Sequence, residues 1–207
     1  MIDKHHFTQL EDNFGKWASW AVWAEPEDAP ISEDPPRTSK NNIGSIDFFK
    51  DDSRLAILKP EYVLLGLNWS RKPNIVHWTN FHDPRPEAQD YKLRYALLDT
   101  RLWGAYMTDL VKNCVQLDAG KVKPNDDDYV SLKKELKSLT EKNSKPLTVI
   151  ALGNKVHVYL SKKQEDLEKE FPGCRIEKLV HYAARISPIQ YRCEVKKLCL
   201  RIAEHES

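Results

Sequence analysis

The chain has 207 residues, 41% of them hydrophobic and 10% aromatic, which suffices for one domain with a sizeable core and excludes a disordered segment. Its 32 Lys and Arg nearly balance 31 Asp and Glu, leaving a formal charge of +1, so a nucleic-acid surface has to be a local cluster rather than a global field. Met1-Ile-Asp-Lys-His-His carries no basic stretch ahead of an apolar core, and no apolar run approaches a bilayer span, so a cytoplasmic, monomeric protein without a membrane partner is expected.

A single domain over residues 1–207 is expected, in which residues 1–44 supply an N-terminal helix and a Pro-rich loop. His5 to Trp23 places Phe7, Leu10, Phe14, Trp17, Trp20 and Ala21 at spacings of three and four, which predicts one helix with its tryptophans turned into the core. Glu25 to Asn42, with Pro26, Pro30, Pro35 and Pro36, reads as a long loop. Gly44 to Leu58 predicts a short helix capped by Ser45, with Ile46, Phe49 and Leu55 inward.

Four apolar runs follow, each with the length and the aromatic or β-branched content of a buried parallel strand: Tyr62–Leu67, Ala105–Val111, Thr148–Leu152 and Arg175–Val180. The first is expected to break at Gly66, where a missing Cβ lets the chain turn. Helical patterns separate the runs, at Glu87 to Thr100, Asp126 to Lys142, Lys155 to Glu170 with Asn154 as its cap, and Pro188 to Ala203. Alternating strands and helices predict an α/β fold in three α/β/α layers around a central four-stranded parallel sheet, in the order second, first, third, fourth.

Ligands of open α/β sheets sit beyond the carboxyl ends of the strands. There the sequence places Asn68, Trp69 and Ser70, then Thr108 and Asp109, then Gly153 and Asn154, and finally His181 followed by Tyr182 to Arg185. The segment from Trp69 to Pro86 is long for a compact domain and contains Trp78 and Phe81, either of which suits stacking on a planar ligand. Cys114, Cys174, Cys193 and Cys199 form no Cys-x-x-Cys pair, and the histidines have no ligand spacing, so neither a metal nor another cofactor is expected. No Gly-x-Ser-x-Gly elbow, Gly-x-x-x-x-Gly-Lys phosphate loop or Gly-x-Gly-x-x-Gly fingerprint is present, which leaves hydrolase, ATPase and dinucleotide readings without a motif.

Taken in order, these strand ends resemble the uracil-DNA glycosylase superfamily. Gly66-Leu67-Asn68-Trp69-Ser70 is similar to its first motif, Gly-x-Asn-Pro-Gly, and His181-Tyr182-Ala183-Ala184-Arg185 to its second, which begins with His. Thr108-Asp109 resembles a Thr-Asn pair that closes the second strand in some branches, and Ile150-Ala151-Leu152-Gly153 resembles an Ile-x-Leu-Gly strand. The likeness runs from about Glu61 to Gln190. It implies cleavage of the N-glycosidic bond of a flipped base in DNA, with Asn68 positioning water and His181 stabilising the departing base.

The same resemblance implies substrate-binding positions at Gly66, Trp69, Ser70, Asp109 and Asn154, with Trp78 or Phe81 as the stacking face. Clustering of Arg71, Lys72, Arg185 and Arg192 is expected to supply the phosphate contacts, with single- or double-stranded DNA as the partner. The chain departs from the pattern where Trp69 and Ser70 replace Pro and Gly, where Tyr182 replaces Pro, and where Asp109 replaces the Asn reader. An ionised Asp offers acceptors only, so Asp109 suits a base with an exocyclic amine better than uracil. Two other readings stand beside this one: a binding module of the same fold without catalysis, and an unrelated small-molecule α/β enzyme.

Overall fold

The computed structural model of the protein describes residues 2–23, 52–70, 77–83, 85 and 87–206. The expected loop at 25–42 lies outside the described residues, as do Ser45, Ile46 and Phe49. Of the short helix expected before the first long strand, Asp52–Ile57 is described and is a 3-10 helix.

Five strands form one sheet: β1 (Ser19–Trp20), β2 (Lys59–Trp69), β3 (Ala105–Val115), β4 (Thr148–Leu152) and β5 (Arg175–Leu179). Their order is β1-β3-β2-β4-β5. The pairs β2 with β3, β2 with β4 and β4 with β5 are parallel, whereas β1 runs antiparallel on the outer edge of β3. The sheet is therefore mixed and five-stranded, not the four-stranded all-parallel sheet expected.

The extra strand comes from the segment read as one long helix. Helix α1 covers only Lys4–Phe14, and the chain then turns through Gly15 so that Ser19 and Trp20 pair with Met107 and Tyr106. Trp20 is fully buried and meets the Tyr106 ring edge-on at 4.9 Å, a contact available to it from the edge of the sheet. Burial of a large indole outweighs the helical spacing of the segment.

Strand alternation sends side chains of β2 into two separate cores. Val63 and Leu65 join Phe7 and Leu10 of α1, Leu132 and Leu136 of α3 (Asp126–Thr140), and Val156 and Leu160 of α4 (Asn154–Ser161). Tyr62 and Leu64 join Leu93 and Leu97 of α2 (Asp90–Leu97) and Tyr191, Val195 and Leu198 of α6 (Pro188–Glu206). With helices on both faces, the architecture is α/β and compatible with three α/β/α layers, which is why β2 and β4 read as nearly continuous apolar runs.

Boundaries differ from expectation: β2 and β3 run on past Leu67 and Val111 to Trp69 and Val115, and α2 is shorter than the expected Glu87 to Thr100. The Lys155 to Glu170 pattern is two helices, α4 and α5 (Gln164–Glu170), with a turn at Lys162 and Lys163 between them. Gly153, at φ 97°, takes the N-cap position of α4, so Asn154 is its first helical residue and not its cap. Helix α3 starts from a reciprocal capping box between Asn125 and Asp128, reinforced by three acidic residues against the helix dipole. No helix among the described residues is long and apolar enough to cross a membrane.

Because β1 is anchored by one buried indole, Trp20→Ala should lower unfolding free energy by roughly 3–5 kcal/mol. Urea denaturation of the wild type and the variant measures this directly, and a loss below about 1 kcal/mol would show that β1 is dispensable.

Candidate functional site

Gly66 does not end β2. It lies inside the strand, opposite Asp109 of β3, and its missing side chain serves close approach instead of a turn. A Cβ on Gly66 would fall 2.2 Å from Asp109 Oδ1 and 3.0 Å from Phe81 Cζ. Carboxylate and phenyl ring thus occupy the space that any other residue would fill.

Asp109 is 3% exposed. Its Oδ2 accepts a hydrogen bond from Asn80 Nδ2 at 2.9 Å, and among the described residues Oδ1 has no donor. Burial raises its carboxyl from 3.8 to about 6; Asn80 and the Lys112 ammonium oppose the rise, and Glu135 adds to it. Asn80 holds the surrounding segment. The same Nδ2 donates to the Trp17 carbonyl at 2.8 Å, and Asn80 Oδ1 accepts from the Phe81 N–H at 3.1 Å. Trp78 and Phe81, on either side of this anchor, both have positive φ, 61° and 63°, a costly backbone for bulky residues that the anchoring compensates.

The loop after β5 closes the site from another side. Tyr182 meets Phe81 edge-on at 6.3 Å and stacks on His181 at 4.4 Å, while the His181 Cβ lies 3.6 Å from where a Cβ on Gly153 would be. Two residues in the first turn of α2 fix this loop. Asp90 accepts a hydrogen bond from the Asp83 N–H at 2.7 Å, and its carboxylate interacts electrostatically with the Tyr182 hydroxyl. Buried Lys92 donates to the carbonyls of Ala184 and Ile186 at 3.2 and 3.0 Å.

The protonation of His181 follows from its contacts. Nδ1 accepts from the Ala183 N–H at 3.1 Å, which assigns the proton to Nε2. Enclosure by neighbouring atoms pushes its pKa down to about 4, so at neutral pH the ring is uncharged and offers one N–H donor.

Gly66 and Asp109, inside β2 and β3, thus lie level with the carboxyl ends of β4 and β5, where Phe81 packs beside Gly66 and Tyr182 links it to His181. Other expected positions are engaged elsewhere. Asn68 Nδ2 donates to three backbone carbonyls, those of Trp69, Cys114 and Gln116, at 2.8, 3.2 and 2.9 Å. The reason is a register shift: Asn68 pairs with Val111 but Trp69 with Val115, so the end of β3 bulges and its carbonyls need a donor from outside the ladder. Trp78 is buried against Phe7 and Trp20 in the core and is not a stacking face for a ligand. Trp69 stacks on Trp17 at 5.1 Å.

Ser70 is exposed at the strand end, and Asn154 Oδ1 accepts from Lys178 at 3.0 Å. Arg192 lies over the Tyr95 ring and donates to the Tyr95 carbonyl, which makes it a strut between α6 and α2. Arg185 is exposed in the His181 loop, and Arg71 and Lys72 lie outside the described residues. Among the described residues, no group of three or more His, Cys, Asp or Glu converges as a metal site.

Sequence reading assigned no role to Asn80, Asp90, Lys92 or Tyr182. Asp90 had a signal, an acidic residue opening a helix, whereas the partners of Asn80 and Lys92 are remote in sequence. Comparison with protein-family models, with curated proteins and with solved structures returns no match for this chain.

Removing the clamp with Asn68→Ala leaves the carbonyls of the bulge unpaired and should cost about 1–3 kcal/mol in urea unfolding. The titrating groups give a second expectation. Between about pH 4 and 6 the fold keeps a proton on Asp109 that the unfolded chain releases, so its contribution to stability falls as pH rises. His181 acts oppositely: the unfolded chain binds a proton below 6.5 that the fold refuses until about 4, so its contribution rises with pH. Asp109→Asn should therefore make stability climb more steeply from pH 4.5 to 6 than in the wild type, as measured by urea midpoints across that range.

Proposed function

We propose that the protein is a DNA glycosylase of uracil-DNA glycosylase type that hydrolyses the N-glycosidic bond of a flipped, amino-bearing base. The observation that carries this reading is Asp109 Oδ1, an oxygen of a buried carboxylate that no donor among the described residues reaches, set against the Phe81 ring beside Gly66. A buried acceptor of this kind costs free energy until a donor reaches it, and an exocyclic amine is such a donor. The parallel strands in the order β3-β2-β4-β5 support the same family resemblance, with His181 following the last of them.

In this reading Phe81 stacks on the extruded base and Asp109 accepts from its amine. Water attacks the sugar carbon, the carbon–nitrogen bond breaks, the bonding electrons leave with the base, and the proton that the water gives up neutralises the departing base. His181 Nε2–H donates to a ring carbonyl oxygen on which negative charge gathers, a contribution of about 3 kcal/mol or more in a water-poor site. A cytosine-type base carries both the amine and the carbonyl. Asn68 keeps Oδ1 as its remaining acceptor for orienting water, since its amide nitrogen is committed to the bulge.

That commitment favours a second reading, a base-binding module of the same fold without turnover. Oligonucleotides carrying different bases, incubated with the protein and heated in alkali, separate the two. The glycosylase reading expects strand cleavage at an amino-bearing or modified base in preference to uracil, about 10²-fold or more slower in His181→Ala and redirected toward uracil in Asp109→Asn. Absence of cleavage across the panel would leave the binding module, and strong uracil release indifferent to Asp109→Asn would overturn the assigned reader.

A further inference from the structure

A second cleft, of about 400 Å³, opens on the opposite face of the sheet, between α1, the start of α3 and the carboxyl half of β3. Its lining includes Phe14, Trp17, Val111, Cys114, Ser131 and Lys134. The Trp17 indole is half-buried, stacked on Trp69 at 5.1 Å and inclined to it by 26°, with the exposed Lys16 ammonium 4.4 Å above the ring. An aromatic wall under a removable surface lysine is the kind of face that takes a planar group.

The floor is polar but electrically closed. Lys112, which lines the cleft, pairs with fully buried Glu135 at 2.5 Å and donates to Thr108 Oγ1 and the Asp109 carbonyl at 3.1 and 2.8 Å. Its ammonium is held inside the protein by this ion pair and two hydrogen bonds, so Lys112 is neutralised locally and is not the partner of a phosphate. At the rim, exposed Lys134 and Lys16, the latter over the Trp17 ring, outnumber one carboxylate, Asp128, which already accepts from the Asn125 N–H. An occupant must therefore put an uncharged ring inward and its anionic part outward.

Position adds a further constraint. The Asn80 amide nitrogen that donates to Asp109 Oδ2 also donates to the Trp17 carbonyl, so the base-reading carboxylate and the backbone of the stacking residue grip one amide group. Sites joined through one amide, one on each face of the sheet at β3, suit neighbouring bases of one strand splayed apart, with their shared phosphate at the lysine rim.

We propose that this cleft binds a nucleobase of single-stranded DNA, the nucleotide next to the one held at Asp109, by stacking on Trp17 with Lys16 and Lys134 at the adjoining phosphate. The assignment of the flanking position rests on the glycosylase reading; the single-strand stacking site itself does not. Stacking on an aromatic side chain tolerates any base, so the cleft contributes affinity and strand preference without sequence preference.

The test is binding of an unmodified eight-residue oligothymidylate, followed by tryptophan fluorescence and by anisotropy of a labelled strand, with the matching duplex as comparison. The wild type should bind the single strand more tightly than the duplex. Trp17→Ala should weaken single-strand binding five-fold or more, and Trp17→Phe should restore most of it. Lys16→Ala and Lys134→Ala should each reduce the salt dependence, by about 0.7 in log–log slope per lost phosphate contact.

Base release plays no part in this readout. Trp17-dependent binding without cleavage anywhere in the base panel would end the glycosylase reading and keep the cleft. Cleavage with single-strand binding indifferent to Trp17→Ala, or equal affinity for the duplex, would overturn the cleft and keep the glycosylase. If Trp17→Ala does not fold, the two surface lysine variants decide alone, and unchanged affinity and salt slope in both would overturn the proposal.

Discussion

The contact between Gly66 and Asp109 is the constraint on which the rest of this end of the molecule depends. Two parallel strands bring a residue without a side chain opposite one with a carboxylate, and helices on both faces keep water away. A carboxylate in such a place is costly unless hydrogen-bonded. Asn80 supplies one donor, and in doing so it ties Phe81 and the Trp17 carbonyl to the carboxylate. The left-handed backbone at Trp78 and Phe81 is a consequence of that anchoring.

A second set of buried polar groups gives the site its other wall. Asp90 and Lys92 leave the first turn of α2 and hold the loop after β5 by Tyr182 and by two carbonyls, so His181 stands on a segment fixed at both ends. On the far face, Lys112, Glu135 and the Tyr106 hydroxyl form a closed group beneath the Trp17 cleft. Each network satisfies groups that the hydrophobic layers would otherwise strand, and each ties elements distant in sequence.

Much of this was legible in the chain and some was not. The buried strand cores show as apolar runs because both faces of the sheet are covered, so Tyr62–Leu65 and Thr148–Leu152 need no alternation to be read. His181 follows β5 as a polar residue after an apolar run, whereas Asp109, expected to close its strand, lies inside β3 and stands out only as a carboxylate within an apolar stretch. The segment containing Trp20 misled, since indoles spaced for a helix were instead shared between a helix and a strand edge. Asn68 was legible only in part: its type and position fit a site, but its amide nitrogen answers a three-residue slip in register that no local pattern announces. Asn80 lay in a loop without periodicity, and only the fold shows that its partners are Trp17 and Asp109.

The brevity of β1 has a consequence for how molecules meet. It pairs with Tyr106 and Met107 alone, so beyond Met107 no described strand covers the outer side of β3. The Ala105 carbonyl there is taken by the Ala21 N–H, and strand alternation turns the Asp109 carbonyl to the same side. Lys112 folds back onto that carbonyl at 2.8 Å, filling with a charged group the acceptor that an incoming strand would need. Bulging of β3 past Val111 spoils the straight ladder further along. A sheet margin that would otherwise template edge-to-edge aggregation is thereby blunted by one lysine and one irregularity, both of which also shape the Trp17 cleft.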